Sequence, residues 1–441
     1  DEENTGDNET DNATGDDTED NETVKHLKEM FDNATDFSVC EHKSDILKFP
    51  EGTYFERCVR EYIGDKRWPI SCEHASEIKI IKCNDPRITS LEGVQQFPNL
   101  ETLDTGPRGT EISDLMPLRN LKRLKRLEIP NSKITNIEYL TRLPHLTALN
   151  LKGNSVTDLT YLPYMYPIYQ LALDYQGPDY ITDIEPMKYM SESLQNLTLQ
   201  GNKITDISPL AHFHALQYLS IRDNRITDIS ALDNKTLLAG LEMSINRITD
   251  ISPLDNNTSL SVIYADHNNI SDISPLENLY KITQVSFKHN NISDISPAAN
   301  KRKMKSMAFD FNIIEDVSPI YDISITSNIL SLRFTYNCIP EENYRKIRFL
   351  YNIQDVHFEN QCENYPPEDV FIQGETIVNE DIITGEVWET DNSTIIPKHN
   401  ETIGSGCSIG QKGETSGDIV MIAFGIMLAF AIIRRLKYGG K

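Results

Sequence analysis

The sequence predicts an α/β solenoid, a curved stack of coils in which short strands alternate with short helical or irregular segments. Three observations lead to this fold class. An asparagine recurs every 22 residues from Asn202 to Asn312, a short apolar alternation precedes each asparagine, and a Ser-Pro pair follows most of them. A fixed period of this length indicates a repeat protein in which each coil buries its apolar face against its neighbours.

Each coil begins with a segment that has the spacing of a half-buried strand. The pattern Leu-x-x-Leu-x-Leu-x-x-Asn occurs at Leu194–Asn202 and again at Leu146–Asn154. Its last two leucines alternate with other residues, which predicts a short strand with one face buried. The asparagine carries two donors and one acceptor, so a column of asparagines can bond the turn backbones of successive coils.

The second half of each coil supplies two further inward columns and a turn. These columns consist of Ile204, Ile226, Ile248, Ile270, Ile292 and Ile314, and of Ile207, Ile229, Ile251, Ile273, Ile295 and Val317. The Ser-Pro pair then begins a short convex segment, since proline suits the first position of a helix. The pattern extends from Ile88 to Asn337, which predicts about twelve coils and a sheet roughly 50–60 Å long.

These repeats are identified as leucine-rich repeats. Their 22-residue length and the phrase Ile-Thr-Asp-Ile-Ser-Pro-Leu, present at Ile204–Leu210 and Ile248–Leu254, resemble the internalin-type class of bacterial surface proteins. The resemblance covers about residues 76–340. It implies a curved horseshoe with a parallel sheet on the concave side and short 3-10 or irregular segments on the convex side. It also implies that the usual ligands are proteins.

Before the repeats, residues 1–36 form an acidic arm. The first 23 residues contain eleven acidic and no basic side chains, and they have too little apolar surface to offset the entropy of ordering. We therefore expect the arm to be disordered. It is either a solubilising spacer or a segment that binds cations or basic partners. Because the chain begins with Asp1, we also expect that a secretion signal has been removed.

The cysteines predict caps at both ends of the repeats, at residues 37–82 before the repeats of 83–340 and at residues 341–365 after them. The seven cysteines are Cys40, Cys58, Cys72, Cys83, Cys338, Cys362 and Cys407. Extracellular repeat proteins commonly close their ends with disulfide-bonded caps. We expect two bonds within the first four, whose three pairings stay open, and a bond between Cys338 and Cys362. Zinc is the weaker alternative, because these four show no Cys-x-x-Cys spacing.

The C-terminal part of the chain predicts attachment to an envelope. Residues 366–406 are rich in Pro, Thr and acidic residues, which indicates an extended stalk. Within residues 407–441, an apolar run at Ile419–Ile433 precedes the basic segment Arg434–Lys437, and Cys407 lies upstream. This layout resembles the cysteine-containing sorting signals of bacteria, such as the MYXO-CTERM group. The alternative is a retained single-pass anchor with the basic segment inside and the repeats outside.

The residues between the inward columns predict the recognition surface. Because side chains alternate along a strand, the residues between and after the last two leucines point into the concave face. They vary from coil to coil, and many are aromatic or basic, as in protein interfaces. The candidate ligand-binding residues are Tyr169, Tyr175, Tyr218, Arg222, Glu242, Tyr264, Asp266, His267, Lys288, His289, Asp310, Phe311, Arg333 and Tyr336.

Two of these candidates, His267 and His289, lie one coil apart and next to Asp266. We expect the two imidazole rings to stack. In the simplest interpretation they fill a solvated column of the concave face. A pH-sensitive contact or a metal-binding pair is the alternative.

Patterns typical of an enzyme are not evident. The sequence contains neither His-Glu-x-x-His nor a phosphate-binding Gly-x4-Gly-Lys. An aspartate column from Asp206 to Asp316 suits backbone hydrogen bonding in the turns better than calcium binding. We therefore expect a protein without catalysis, cofactor or metal. The net charge of −25 opposes nucleic-acid binding.

Together these patterns predict an exported cell-surface protein that binds a macromolecule through its concave face. We expect the ligand to be a protein or a glycan, the chain to be a monomer, and residues 419–437 to contact a membrane or envelope. Two alternatives stay open. One is an envelope structural or adhesion protein without a single ligand, and the other, which the cysteines and tail disfavour, is an intracellular regulatory scaffold.

Overall fold

Thirteen short parallel strands, β1 to β13, follow one another in sequence order and form one open sheet within the described part of the chain. The structure is a computed structural model that describes residues 42–43, 46–49, 53–64, 70–165, 167–190, 193–299, 301–321, 329–348, 355–359 and 361. Each strand pairs with that of the next coil, and Leu197 faces Leu219 in one such pair. The predicted α/β solenoid with a parallel sheet is therefore confirmed.

All thirteen strands are three residues long. Their bounds are Ile80–Lys82, Thr102–Asp104, Arg126–Glu128, Ala148–Asn150, Gln170–Ala172, Asn196–Thr198, Tyr218–Ser220, Gly240–Glu242, Val262–Tyr264, Gln284–Ser286, Ser306–Ala308, Ser331–Arg333 and Asp355–His357. β1 precedes the expected start of the repeats at residue 83, and β13 lies within the expected C-terminal cap. The sheet thus extends one strand beyond the expected repeats at each end.

The return segments of the coils are short and mostly 3-10 helical, as the Ser-Pro pattern predicts. Proline occupies the first or second position of several of them, where its missing N–H costs no hydrogen bond. The 3-10 helices are Val94–Gln96, Met116–Leu118, Glu138–Arg142, Leu162–Tyr164, Glu185–Met190, Ser208–His212, Ser230–Leu232, Ser252–Leu254, Ser274–Asn278 and Ser318–Ile320. The α-helices are α1 Tyr54–Tyr62, α2 Cys72–Glu77, α3 Ser296–Ala299 and α4 Glu341–Arg348.

The apolar columns form one continuous core between the sheet and the return segments. Ile204, Ile248 and Ile292 are all fully buried, and burying each such side chain contributes about 1.5–3 kcal/mol. In the column that contains Leu199, phenylalanine replaces the aliphatic residues toward the C-terminus. There it consists of stacked rings with centroids 5.4 to 5.7 Å apart, those of Phe287, Phe309, Phe334 and Phe358.

The asparagine column bonds the backbones of neighbouring coils, as predicted. Asn224 accepts the Ile204 N–H at 3.0 Å and donates to the Leu199 carbonyl at 2.9 Å. Gln176 and Gln361 take the place of asparagine in two coils and make the corresponding bonds with one more methylene. The spacing pattern does not reveal these two members of the column, because it recognises asparagine alone.

The aspartate column accepts hydrogen bonds from the first residues of the return segments. Asp206 accepts the Ser208 N–H at 2.7 Å through Oδ1 and the Ser208 hydroxyl at 3.0 Å through Oδ2. The same pair of bonds recurs at Asp228, Asp250, Asp272, Asp294 and Asp316. The predicted backbone role is confirmed. Across the described residues, no group of three or more His, Cys, Asp or Glu could hold a metal ion.

The N-terminal end of the core is covered by α1, which a disulfide bond joins to the sheet. Phe55 and Val59 of α1 are fully buried. Cys58 of α1 is bonded to Cys83, the residue that follows β1. This bond belongs to one of the three pairings that the sequence left open. It closes the end of the solenoid where no further coil would cover the first strand.

Of the remaining five cysteines, two are among the described residues and three are not. Cys72 and Cys338 are also disulfide-bonded, whereas Cys40, Cys362 and Cys407 lie outside the described residues. The acidic arm, the stalk and the C-terminal tail lie outside them as well. Among the helices that are described, none has the length and apolar character needed to cross a membrane.

Candidate functional site

The concave surface consists of four columns of side chains, two on the strands and two in the turns that follow. In β6, Leu197 is buried while Asn196 and Thr198 are partly exposed, as the alternation predicts. The candidates on the strands are Tyr218, Glu242, Tyr264 and Arg333. The candidates in the turns are Tyr175, Arg222, Asp266, His267, Lys288, His289, Asp310, Phe311 and Tyr336.

Four rings from successive coils form a continuous stack at the edge of the concave surface where the strands end. We name them the ring stack, and they are His267, His289, Phe311 and Tyr336. Their centroids are 4.1, 4.0 and 4.2 Å apart, and neighbouring ring planes differ by only 12–13°. The stack therefore runs about 12 Å across the coils. Stacked ring pairs contribute about 0.5–1.5 kcal/mol each beyond the area they bury.

The backbone of the turn makes the rings parallel. All four residues of the ring stack have φ between 53° and 57°, in the left-handed region. This conformation costs a residue with a Cβ about 1–2 kcal/mol, and Gly153 and Gly201 have positive φ at the same place upstream. Because the turn repeats in every coil, the four side chains leave it in the same direction. The sequence spacing places the four rings one coil apart, and the shared φ value orients them so that neighbouring ring faces stack.

Ion pairs run beside the ring stack. Lys288 Nζ lies 4.0 Å from Asp266 Oδ2, and Arg333 Nε lies 3.3 Å from Asp310 Oδ2. The cations are the more exposed members, at 34% and 42% of the side chain against 17% and 4% for the carboxylates. The concave surface thus presents fixed cationic groups next to the rings, with the acids beneath them.

The aspartates of these pairs also hold the coils in register. Asp266 accepts a hydroxyl at 2.5 Å and an N–H at 2.8 Å from the next coil. Asp310 does the same at 2.6 and 2.9 Å, and Asp174 makes an equivalent pair of bonds. Asp310 was expected on the recognition surface, and the structure buries it with only 2% of the residue exposed. Asp310 therefore joins its coil to the next through Thr335 and pairs with Arg333 from below.

Two tyrosines on the strands are fixed by their neighbours. The Tyr218 ring lies over Gly240, where an added Cβ would approach it to 2.9 Å. Burial raises the pKa of Tyr218, and the charge of Glu242 raises it further. The Tyr264 hydroxyl donates to Gln284 Oε1 at 3.1 Å. Both rings are thus partly exposed and held in one orientation.

The upstream part of the concave surface is built around Tyr175 and Arg222. Arg222 lies 3.9 Å from Glu242, which is itself buried, and burial raises the pKa of that carboxyl. The Tyr175 ring lies against Gly201, where a Cβ would overlap it. The Lys152 ammonium group also lies over this ring, with Nζ 5.3 Å from the ring centroid. These residues contribute a second partly exposed aromatic and cationic group.

Tyr169 lies apart from the other candidates. It precedes β5 and is 42% exposed. It borders a cavity of about 290 Å³ that is also lined by Lys125, Pro144, His145, Thr147 and Pro167. The structure therefore places this candidate at the opposite edge of the sheet from the ring stack, where the strands begin.

The surroundings of the two histidines in the ring stack favour the neutral form of each ring. Burial, together with the charges of His267 and Lys288, lowers the pKa of His289 to about 3. Burial also lowers the pKa of His267, although the Asp266 charge acts in the opposite direction. Neutral rings suit a separation of 4.1 Å, because two imidazolium rings at that distance would repel each other.

The geometry of this solenoid recurs in known proteins. The family pattern described as Leucine Rich repeats (2 copies) matches residues 192–234. The crystal structure of an internalin, InlF, from Listeria monocytogenes is 30% identical and has a TM-score of 0.64, covering 71% of this chain and 90% of that one. This chain belongs to the internalin-like family of leucine-rich repeat proteins. No curated protein sequence matches it.

More distant proteins share only the fold of this internalin-like chain. The ectodomain of the Arabidopsis thaliana receptor kinase GASSHO1/SCHENGEN3 has a TM-score of 0.52 at 15% identity, covering 66% of this chain and 39% of that one. A leucine-rich repeat protein of Leptospira interrogans has a TM-score of 0.51 at 15% identity, covering 76% and 98%. Internalin-type repeats are in general protein-binding scaffolds rather than enzymes.

Two further residues of the concave face hold candidate side chains in place, although neither is among the candidates. Gln284 anchors Tyr264, and Gly240 makes room for Tyr218. A signal for the second was available, because Gly240 follows Tyr218 by one repeat at the same strand position. A small residue beside a large one in the next coil indicates that the large side chain lies across it.

Proposed function

We propose that this internalin-like chain binds a protein ligand through its concave face and carries out no catalysis. The contact centres on the ring stack and on the adjoining Lys288 and Arg333. The single observation that supports this most strongly is the ring stack itself. It is a continuous row of aromatic edges about 12 Å long, flanked by cations on one side.

The energetics of protein interfaces support this assignment. Aromatic side chains and arginine contribute most of the binding energy in such contacts. Here the rings are already stacked and the cations are already paired, so their rotamers lose little entropy when a ligand binds. A protein surface that offers apolar side chains beside a carboxylate would match both features. Carboxylates of the ligand would meet the exposed ends of Lys288 and Arg333.

Export and surface attachment are part of the same proposal. The Cys58–Cys83 bond, together with bonded Cys72 and Cys338, supports an oxidising compartment, since disulfides form and persist there. We propose that residues 407–441 then attach the protein to the envelope. The concave face would be presented to ligands outside the cell.

The test compares two variants by quantitative capture of proteins from the surface of intact cells. Phe311→Ala combined with Tyr336→Ala shortens the ring stack, and we expect it to reduce capture of the true ligand about 10- to 100-fold. Tyr189→Ala is the matched control, because this tyrosine is 68% exposed and lies on the helix Glu185–Met190, away from the concave face. The control should capture the ligand like the native chain.

Melting curves of both variants must first match the native chain to within a few degrees. If every captured protein is retained equally by the double variant and by the control, the ring stack is not the contact. Loss of capture by both variants together would instead show that the retained proteins bind elsewhere on the solenoid.

A further inference from the structure

A second surface of this protein, beside the start of β3, carries a cluster of basic side chains although the chain as a whole is acidic. Lys122, Arg123 and Lys125 lie between the helix Met116–Leu118 and β3, and all three are exposed. With Arg119 they form a group that we name the basic flank. It lies where the chain enters the strands, whereas the ring stack lies where the strands end. The net charge of the whole chain is −25, so a concentration of cations here needs a reason.

The positive charge of the basic flank is only partly neutralised. Lys125 pairs with Glu101 at 2.6 Å. Lys122 Nζ instead contacts the carbonyl oxygen of Arg142 at 3.1 Å, and burial together with the Arg142 charge lowers its pKa. Among the described residues, no carboxylate forms an ion pair with Lys122 or Arg123. Two neighbouring cations without a carboxylate form a site that favours an anionic partner.

We propose that the basic flank binds the acidic arm of the same chain, residues 1–36. The first 23 residues of the arm contain eleven carboxylates and no cation. The charges are therefore complementary. Each exposed ion pair contributes at most about 1 kcal/mol, so binding depends on several pairs forming at once and is weakened by salt.

The position of the arm in the chain favours this surface. Lys43 lies 3.9 Å from Glu73 of α2, just before β1. β3 is two strands further, roughly 10 Å along the sheet. Thr23 and Lys43 are twenty positions apart, a separation that can span at most about 70 Å, so the acidic segment can reach the basic flank. A short tether gives it a high effective concentration there.

A second basic group provides an internal comparison. Arg302, Lys303 and Lys305 are exposed just before β11, and β11 is eight strands away from β3, roughly 40 Å. If charge alone decided, the arm would bind both groups equally. Because the effective concentration of a tethered segment falls with distance, the proposal predicts a preference for the basic flank.

The experiment is zero-length carbodiimide cross-linking of the full chain, followed by peptide mass spectrometry. Carbodiimide joins a carboxylate to a lysine amine only when the two are in contact. We expect links within one chain from the arm to Lys122 and Lys125, lost in high salt and in the presence of excess synthetic peptide 1–23. Arg119→Gln combined with Arg123→Gln should reduce their yield several-fold, and both reporter lysines are retained.

The matched control is Arg302→Gln, which removes one cation from the distant group and should leave these links unchanged. Three outcomes would overturn the proposal. These are equal yields at Lys303 and Lys305, yields that the double variant does not lower, and links that occur only between two chains. The last would show that the arm binds a second copy. None of these outcomes bears on the concave face, so the two proposals can fail separately.

Discussion

Tyr264 and Ile248 lie on different faces of the solenoid, and this difference predicts how much each contributes to stability. Ile248 is fully buried in an inward column, whereas Tyr264 is partly exposed on the concave face and bonds to Gln284. We expect Ile248→Ala to lower the free energy of unfolding by about 2–5 kcal/mol, because it leaves a cavity between coils. Tyr264→Ala should cost about 1 kcal/mol or less. Chemical denaturation of both variants measures the difference, and equal losses would mean that the two faces are reversed.

His289 makes the stability of the ring stack depend on pH. Its folded-state pKa is about 3, against 6.5 when unperturbed, so the unfolded chain binds more protons between these values and stability falls as the pH drops below 6.5. Between pH 7 and pH 4.5, we expect the free energy of unfolding to fall by about 2–3 kcal/mol less in His289→Gln than in the native chain. Paired unfolding curves at the two pH values test this. Parallel losses in both proteins would show that His289 titrates normally in the folded chain.

At the scale of the element, the asparagine column shows how buried polar groups set the shape of a turn. Asn268 accepts the Ile248 N–H at 3.0 Å and donates to the carbonyls of Met243 and Ala265 at 3.1 and 3.2 Å. We expect Asn268→Ala to cost about 2–4 kcal/mol, because it leaves these buried backbone groups unsatisfied.

Asn269→Ala is the matched control for this prediction, since the neighbouring side chain is partly exposed. It should change stability by less than about 0.5 kcal/mol. Thermal unfolding of both variants is the measurement. A small effect at Asn268 would mean that water replaces the side chain in the turn, and the column would then not be needed for stability.

Two aromatic ladders run side by side through the last coils, and each constrains the other. The inner rings, among them Phe309 and Phe334, stack at 5.6 Å, while the outer Phe311 and Tyr336 stack at 4.2 Å. Phe311 follows Phe309 by two residues, and Tyr336 follows Phe334 in the same way. The ring stack is therefore attached, two residues along the chain, to a close-packed column of the core that limits its movement.

At the scale of the whole molecule, stability depends on closing the ends of an open stack. The Cys58–Cys83 bond joins residues 25 apart across the N-terminal end. A loop of this length predicts that Cys58→Ser combined with Cys83→Ser lowers the free energy of unfolding by about 3 kcal/mol. Because each coil contacts only its neighbours, the loss should appear first near β1.

Hydrogen exchange resolved along the chain measures this cap prediction. Amides of β1 and β2 should exchange faster in the double variant, while those of β7 to β9 should stay protected. Uniform acceleration along all thirteen strands would show instead that the solenoid unfolds as one unit, and that the cap acts on the whole stack.

The sequence by itself determined the repeat, the inward columns, the parallel sheet and the role of the asparagine and aspartate columns. These features could be predicted because each depends only on which residue type recurs at a fixed spacing. A 22-residue period assigns every position of the repeat to one face of the coil. The cap cysteines were recognised from their positions at the two ends of the repeats. Their pairing was not, because spacing along the chain does not measure the distance between two sulfurs.

Only the tertiary structure decided how neighbouring coils meet across the concave face. It joined Phe311 and Tyr336 to the two histidines through a shared left-handed turn, and it buried Asp310 beneath Arg333. It also brought Gln176 into the asparagine column. These outcomes depend on backbone φ, on side-chain length and on the residue one coil away. A one-dimensional pattern contains the identities of those neighbours but not the geometry in which they touch.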